Sequence, residues 1–370
     1  MNKRLIPLDV KILQALTEVG PRNLSEVARA IGIPRATLRF RINRMISHPK
    51  VSFKCNATVY HNFLGMKKAI VVAKASPGKE QLLYDCMKAN DFWMHLVRSY
   101  GECEGCLAVY TIPVNHEQEF EEFIQTIQDL GVAEETRIYW STCFQAGKIT
   151  PEWFDEKTLG WSLPWDELLK EIEKADTELP FTLTDPDKFP NYGDDIDVFI
   201  LGELEKDALQ HLQSIARKLG ISLQRARYHY EKHLVERKLL EGFEVFIFPY
   251  DPEYSDEILL FLEFYNHEYL AKFANSVMDK HFVRGLGKIL GENSLIVSVS
   301  LPRKEFRKLM DILSNLARKK ILKNYRYVIA DIRTHSRQPL PYNLFEKNKW
   351  IYQHKNHIAK LRKLVQDTLS

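Results

Sequence analysis

Residues 23–45 read NLSEVARAIGIPRATLRFRINRM, and this stretch decides how the chain is organised. Asn23 and Glu26 have the spacing of a capping box at the start of a helix. Gly32 can take the left-handed conformation that ends this helix. A second helix is predicted from Pro34, and its inner apolar stripe is Leu38, Ile42 and Met45. Two helices joined in this way predict a helix-turn-helix, whose second helix would enter the major groove of DNA.

The outer face of the second helix carries side chains suited to DNA contacts. Arg35 and Arg39 have the geometry to read guanine, and Asn43 to read adenine. Arg41 is expected either to hold a phosphate or to pack at the junction with a two-stranded wing, which is predicted over residues 51–60. The first-half residues predicted to bind DNA are Arg35, Thr37, Arg39, Arg41, Asn43, Arg44, Lys50 and Lys54.

The same pattern returns 188 residues later, where residues 212–234 read LQSIARKLGISLQRARYHYEKHL. Gly32 aligns with Gly220 without a gap. Residues 193–245 carry eight Lys and Arg against ten acidic residues. This second helix-turn-helix therefore either contacts DNA weakly or binds a protein. The second-half residues predicted to bind DNA are Arg225, Arg227, Tyr228 and Lys232.

The N-terminal sixty residues are strongly basic. Residues 1–60 hold eleven Lys and Arg against three acidic residues, a balance of +8, although the whole chain of 370 residues carries only +3. A local excess of this size is typical of a protein that binds a polyanion. The charge distribution thus favours double-stranded DNA as a partner.

Several classes of protein are not indicated by the sequence. The sequence contains no run of about 18 apolar residues, so no membrane span is predicted. Its N-terminus lacks the apolar core of a signal peptide. Five cysteines without an export signal predict a cytoplasmic protein. Cys103 and Cys106 have a zinc-like spacing, but Cys86, His95 and Cys143 form no second pair, so no metal is predicted. Without a nucleotide-binding loop or a catalytic motif, neither an enzyme nor a cofactor is predicted.

The remaining segments predict the rest of the fold. Residues 66–145 and 256–335 both spell the order β-α-β-β-α-β, which is typical of a ferredoxin-like sheet with two helices on one face. The predicted fold class is therefore α+β, with two tandem copies of a winged helix-turn-helix followed by a ferredoxin-like domain. The predicted divisions are winged helices at 1–62 and 193–249, ferredoxin-like domains at 66–145 and 256–335, a Pro- and Trp-rich connector at 146–192, and a connector-like segment with a basic C-terminal helix at 336–370.

Several short motifs resemble the Lrp/AsnC, or feast/famine, family of transcriptional regulators. They are Leu8-Asp9-Val10 with Ile12-Leu13, Val27-Ala28-x-x-Ile31-Gly32, and Arg41-Ile42-x-x-Met45. The Gly-Asp-x-Asp turn of the family's sensor (RAM or ACT-like) domain resembles Gly101-Glu102-Cys103-Glu104 and Gly291-Glu292-Asn293-Ser294. The resemblance implies a small-molecule effector, such as an amino acid, at Gly101, Glu102, Glu104, Gly291, Glu292 and Ser294.

The resemblance also implies a function and partners. A tandem-duplicated, archaeal-type member would be a sequence-specific transcription regulator that acts as a covalent pseudo-dimer on promoter DNA. Its acidic second half could recruit a basal transcription factor or RNA polymerase and so activate transcription. Two such chains could also form a homodimer.

A second class stays open, namely an enzyme or metabolite-binding protein that kept the family fold. The haem-biosynthesis decarboxylases are built from similar tandem units and use His and Arg in their sensor domains. His95, Arg98 and His116 are the nearest candidates in this chain. The basic residues 1–60 argue against this class, because an enzyme has no evident use for them.

Overall fold

A computed structural model describes residues 5–142, 144–163 and 165–369. The helices are α1 (Pro7–Glu18), α2 (Leu24–Ala30), α3 (Arg35–Ser47), α4 (Glu80–Met87), α5 (Glu117–Asp129), α6 (Trp165–Lys174), α7 (Asp195–Lys206), α8 (Leu212–Leu219), α9 (Leu223–Tyr228), α10 (His267–Val277), α11 (Phe306–Arg318) and α12 (His354–Leu369). None of these described helices is both long and apolar enough to cross a membrane.

The strands are between two and sixteen residues long. They are β1 (Lys54–Val59), β2 (Met66–Ala75), β3 (Trp93–Gly101), β4 (Gly105–Pro113), β5 (Ala133–Ser141), β6 (Gln145–Ala146), β7 (Phe154–Asp155), β8 (Gly160–Trp161), β9 (Leu240–Phe246), β10 (Ser255–Phe264), β11 (Val283–Lys288), β12 (Ser294–Pro302), β13 (Leu322–Arg337), β14 (Phe345–Glu346) and β15 (Lys349–Trp350).

Helices α2 and α3 form over the residues that the sequence predicts to be a helix-turn-helix. The Asn23 side chain caps α2 by accepting a hydrogen bond of 3.3 Å from the Glu26 amide. Gly32 takes a φ of +71°, in the left-handed region that favours glycine. The predicted stripe of α3 is buried, and its members are Leu38, Ile42 and Met45.

The predicted two-stranded wing is wrong. Residues 54–59 form one continuous strand, β1, which pairs antiparallel with β9 of the second half. A turn is expected at Cys55-Asn56, between the two strands of the wing, because asparagine favours turns. Instead the Asn56 side chain is buried, and its amide donates to the Glu205 carbonyl oxygen at 2.7 Å. The two helix-turn-helix units are thus joined by a β1·β9 ribbon.

One large antiparallel sheet holds most of the other strands, in the order β5-β2-β4-β3-β13-β10-β12-β11-β6. Each half supplies four strands with the connectivity β-α-β-β-α-β, namely β2–β5 and β10–β13. The halves join where β3 pairs with β13. They meet again where the Thr142 amide donates to the Lys288 carbonyl oxygen at 2.9 Å. The two halves therefore contact each other at both edges of their four-stranded units.

Strand β13 is sixteen residues long and contains a bulge. Asp331 lies opposite Arg98, but the next paired residue, Ser336, lies opposite Leu96. The strand therefore advances five residues while its partner advances two. This bulge pushes the segment that contains His335 out of the ladder.

The connecting helices are exchanged between the halves. Helix α6, which follows the first half, packs on α10 and α11 of the second half through Trp165, Leu168 and Ile172. Helix α12, at the end of the second half, packs on α4 and α5 of the first through Leu361 and Val365. This exchange ties the two halves together.

Candidate functional site

Two histidines from opposite halves meet at the β3–β13 junction. His95 Nδ1 lies 3.1 Å from His335 Nε2, and the rings stack with centroids 5.3 Å apart. Burial lowers the pKa of His335 to about 4, with help from the nearby Arg337 charge. Burial and the same arginine also hold the pKa of His95 well below its usual range. Both rings are therefore neutral at pH 7, so that the N–H of one can donate a hydrogen bond to the free ring nitrogen of the other.

Basic and polar groups connect this pair to the β1·β9 ribbon. The Arg337 guanidinium donates to Asn56 Oδ1 at 3.0 Å. Lys68 in β2 lies close enough for its charge to lower the pKa of His95 and of His61, although burial is the larger cause for both. We call these residues, together with Glu205, the histidine cluster; its members are His61, Lys68, His95, Glu205, His335 and Arg337.

His61 and Glu205 form the buried part of the histidine cluster. His61 is 4% exposed, and within the described residues neither of its ring nitrogens has a hydrogen bond of normal geometry. Glu205 Oε1 lies 3.8 Å from His61 Nε2, and Glu205 Oε2 accepts from the Leu340 amide at 2.7 Å. Burial raises the pKa of Glu205 to about 7. A carboxyl group with a pKa near 7, beside a neutral imidazole, is suited to proton transfer.

Further groups around the cluster carry positive charge or aromatic rings. Lys54 and Arg284 both lower the pKa of His335 through their charge, although burial contributes more. The Arg284 guanidinium lies 4.0 Å above the ring of Phe246. A cleft beside His61 and Lys68 is also lined by Phe181, Thr182 and Phe189. The surroundings thus combine positive charges with aromatic rings, which suits an anionic ligand.

Only one of the three enzyme candidates predicted from the sequence belongs to this site. His95 lies in the cluster. Arg98 lies on the opposite face of β3 from His95. It shares that face with Leu96, which packs in the core beneath the helices. The His116 ring contacts Glu119 and stacks on Tyr352 with centroids 4.9 Å apart, so that it stabilises the start of α5.

Sequence reasoning missed the other members of the cluster. His61, His335 and Arg337 fall in no motif, and Lys68 and Glu205 lie within ordinary strand and helix patterns. A local signal is the run His335-Ser336-Arg337, which places a ring and a charge two residues apart.

The prediction that Arg41 binds DNA is wrong. Its side chain is buried, and its guanidinium grips both carboxylate oxygens of Asp9, with Nε 2.7 Å from Oδ1. An Arg held this way is a packing element between α1 and α3. Of the two alternatives for Arg41, packing inside the helix-turn-helix is therefore closer to what is found than a phosphate contact.

The other first-half residues predicted to bind DNA lie at the surface. Arg35, Arg39, Asn43, Arg44 and Lys54 are exposed, and Thr37 is partly exposed. Lys50 forms an ion pair of 2.6 Å with Asp251. The outer face of α3 borders a cleft whose other wall is the α7–α8 corner of the second half; this cleft is lined by Arg35, Arg39, Asn43, Lys54, Lys206, Asp207, Gln210 and His211.

The second-half candidates are also exposed, but their helix is short. Arg225, Arg227 and Tyr228 lie on α9, which spans only six residues. A π-helical turn, His229–Val235, follows directly. Lys232 in this turn pairs with Glu236 at 2.5 Å.

The two predicted effector turns lie near one another, around the ring of Phe261. Gly101 and Gly291 take left-handed φ values of +89° and +73°. Glu102 lies 3.8 Å from Arg326, and this arginine also donates to the Tyr139 hydroxyl at 2.7 Å. Of the remaining candidates, Glu104 and Glu292 are exposed and Ser294 is buried. The turns therefore present carboxylates beside an arginine.

The cysteines predicted not to bind metal are buried thiols. Burial raises the pKa of Cys103, Cys106 and Cys86, which disfavours the thiolate that zinc requires. Cys143 lies outside the described residues.

Comparisons with known proteins place this fold. No protein-family model matches the sequence, and no curated protein matches it. The crystal structure of the siroheme decarboxylase NirDL superposes over 97% of this chain and 99% of that chain, with a TM-score of 0.52 and 12% identity. The complex of NirDL with an iron-uroporphyrin III analogue superposes over the same shares, with a TM-score of 0.51 and 13% identity. A transcriptional regulatory protein of the AsnC family from Pyrococcus furiosus covers 37% of this chain and 88% of its own, with a TM-score of 0.28 and 17% identity.

The full-length match corrects one prediction. At 12% identity it establishes a shared fold, a mixed α/β arrangement around a large antiparallel sheet. The prediction that this chain is not an enzyme is contradicted by this match, since NirDL, which superposes over 97% of the chain, is a decarboxylase.

Proposed function

We propose that this chain is a decarboxylase that acts on a carboxylate-bearing tetrapyrrole of the siroheme type, with the histidine cluster as its active site. The observation that carries the proposal is the neutral His95–His335 pair beside Arg337 and Lys68. The full-length likeness to NirDL supports the choice of reaction and substrate class.

The substrate class fits the charges of the cluster. Tetrapyrroles of this type carry acetate and propionate side chains around a flat macrocycle. Arg337 can hold one carboxylate through a bidentate hydrogen-bonded pair, and Lys68 can hold another as a point charge. Arg284 and Lys54 extend the positive region toward the β1·β9 ribbon.

The chemistry needs a proton donor rather than an oxidant. When an acetate side chain loses CO2, its C–C bond breaks and the electron pair stays on the methylene carbon, delocalised into the conjugated ring. That carbon must then gain one proton to become a methyl group. The His95–His335 pair can relay this proton: as one ring nitrogen gives up its proton to the carbon, the other ring passes one on and takes a replacement from solvent, which the His335 side chain reaches.

Ligand binding tests the proposal before turnover is measured. We would titrate the purified chain with iron-uroporphyrin III and follow the absorption band of the macrocycle. We expect saturable binding that weakens in Arg337→Gln and is retained in Arg98→Gln. If wild type leaves the spectrum unchanged at all concentrations, the histidine cluster does not bind this class of ligand.

DNA binding is the second candidate function, within a proposed division into two helix-turn-helix and two ferredoxin-like units. The exposed Arg35, Arg39 and Asn43 on α3 and the basic balance of residues 1–60 favour it. A site selected from genomic fragments should bind with a steep salt dependence, and binding should be lost in Arg35→Ala/Arg39→Ala. Selective DNA binding without tetrapyrrole binding would reverse the order of the two candidates.

A further inference from the structure

A second group of chemically reactive side chains lies apart from the histidine cluster, inside the second helix-turn-helix. It consists of Asp194 and Asp197 at the start of α7, and His229 and His233 on the π-helical turn that follows α9. One ligand-type atom from each of the four residues lies within 4.8 Å of all the others. Asp197 is 0% exposed, and both histidines are buried.

The distances within this group are equal to, or up to about 0.5 Å shorter than, those between the ligands of a tetrahedral zinc site. His229 Nδ1 lies 2.8 Å from Asp197 Oδ1, and His233 Nδ1 lies 3.0 Å from Asp197 Oδ2. The oxygens of Asp194 lie 3.5 Å from His229 Nδ1 and 3.6 Å from His233 Nδ1. In a tetrahedral zinc site, bonds of about 2.0–2.2 Å place neighbouring ligand atoms roughly 3.3–3.6 Å apart. Small shifts would therefore open room for one ion between the four atoms.

The first half holds different side chains at the equivalent positions. Counting back 188 residues from the group gives Ile6, Asp9, Arg41 and Met45. There the guanidinium of Arg41 neutralises the buried Asp9. In the second half the aspartate is kept, but the arginine is replaced by His229. A buried carboxylate needs a cation or hydrogen-bond donors. Asp9 has the permanent charge of Arg41, whereas Asp197 is surrounded by side chains that can bind a metal ion.

The local backbone supports the same interpretation. Helix α3 runs without interruption over thirteen residues, whereas its counterpart changes from α-helix to π-helix at His229. Single π-helical turns inside helices are common at functional sites. The carboxylates are oriented by amides: Asp194 Oδ1 accepts from the Ile196 amide at 2.9 Å, and Asp197 Oδ2 accepts from the Asp194 amide at 3.0 Å. Oriented ligands of this kind are typical of metal centres.

From this geometry we infer that Asp194, Asp197, His229 and His233 bind one divalent transition-metal ion of the zinc type. Imidazole and carboxylate ligands together suit zinc among the first-row metals. Four protein ligands leave no open position, which is the arrangement of a structural site rather than a catalytic one. The ion would fasten α7 to the helix after α9, as the Arg41–Asp9 pair fastens α1 to α3.

Metal binding by the full-length chain tests this inference. The protein is treated with a chelator, dialysed, titrated with Zn²⁺ alone and desalted, and the metal that remains is measured by mass spectrometry. We expect one zinc ion per chain and a rise in the thermal unfolding midpoint. Co²⁺ in place of zinc should give the intense visible bands of tetrahedral coordination. Cys103→Ser/Cys106→Ser should bind the same amount.

The first half supplies a matched control. The variant Asp194→Ile/His229→Arg/His233→Met installs the set that already packs around Asp9, so we expect it to fold and to retain no zinc. If wild type retains no zinc, or if this variant folds and retains as much zinc as wild type, the four side chains are held together by hydrogen bonds alone and the inference is overturned. Should the triple variant fail to fold by circular dichroism, His233→Met decides: zinc affinity at least about tenfold weaker supports the site, and unchanged affinity overturns it.

Discussion

His95 and His335 lie 240 residues apart in the chain, yet their ring nitrogens approach to 3.1 Å. His95 comes from a strand of the first half and His335 from the bulge of the last strand of the second half. The pair exists only because β3 and β13 join the two halves in one sheet. A site made this way requires both halves, and the single chain ensures that they are present together.

The His335 side chain should matter for turnover more than for binding. In the proposed reaction its ring takes part in proton delivery, so His335→Ala should lower kcat by roughly 100- to 1000-fold. The KM for the tetrapyrrole should change little, because the carboxylates are held by Arg337 and Lys68. Steady-state kinetics would measure both values. His116→Ala is the control, since that ring lies outside the cluster, and equal losses in the two variants would contradict the assignment.

Arg337 should govern affinity. Replacing it by glutamine keeps a donor for Asn56 but removes the charge that holds a ligand carboxylate. We expect Arg337→Gln to weaken tetrapyrrole binding about tenfold or more, and to reduce its salt dependence. Absorption titrations at two salt concentrations would measure this. If Arg98→Gln weakens binding as strongly, the positive charge acts at long range rather than by contact.

Glu205 should make stability depend on pH. Burial raises the pKa of its carboxyl from 4.5 to about 7, so the folded chain holds this proton more tightly than the unfolded chain. The resulting stabilisation is complete below the unfolded pKa and is lost as the pH rises through 7. Glu205→Gln should therefore be more stable than wild type at pH 8, by up to roughly 3 kcal/mol, and closer to it at pH 5.

Denaturant unfolding of wild type and Glu205→Gln at the two pH values would measure that difference. Glu18→Gln, at an exposed position, should show the pH dependence of wild type. A pH dependence that is identical in Glu205→Gln and wild type would mean that the Glu205 carboxyl does not titrate in this range.

Removing one partner of the buried Arg41–Asp9 pair should lower the free energy of unfolding strongly, whereas replacing both partners should lower it little. Arg41→Met leaves the carboxylate of Asp9 buried without its cation, and should destabilise the chain by about 3–5 kcal/mol. The double change Asp9→Leu/Arg41→Met removes both charges and should recover most of this loss. Denaturant unfolding of the three proteins would measure it. If the double variant is as unstable as the single one, the loss is one of packing rather than of unpaired charge.

Local signals in the sequence predict much of the fold. The caps at Asn23 and the left-handed Gly32 fix the first helix-turn-helix, because these interactions involve residues close in sequence. The same kind of reasoning fails at Asn56. Its side chain bonds to a carbonyl 149 residues away instead of forming a turn, and only the assembled halves provide that partner.

The candidate sites are harder to predict for the same reason. The histidine cluster draws on both halves, and the register of the β13 bulge, which places His335, leaves no pattern in the sequence. The spacing of His229 and His233, four apart on one helix, is visible in the sequence. It gains meaning only when α7 brings Asp197 between the two rings.

The most direct measurement is the mass of the tetrapyrrole after incubation with the purified chain. Siroheme is mixed with wild type, with His95→Ala/His335→Ala or with no protein, and the pigments are separated and weighed by mass spectrometry. A decarboxylase will convert siroheme, in wild type alone, to products that each lack one or more CO2 units and gain no oxygen. If wild type binds siroheme but returns it unchanged, or if the double variant converts it equally fast, the histidine cluster is not a decarboxylation site.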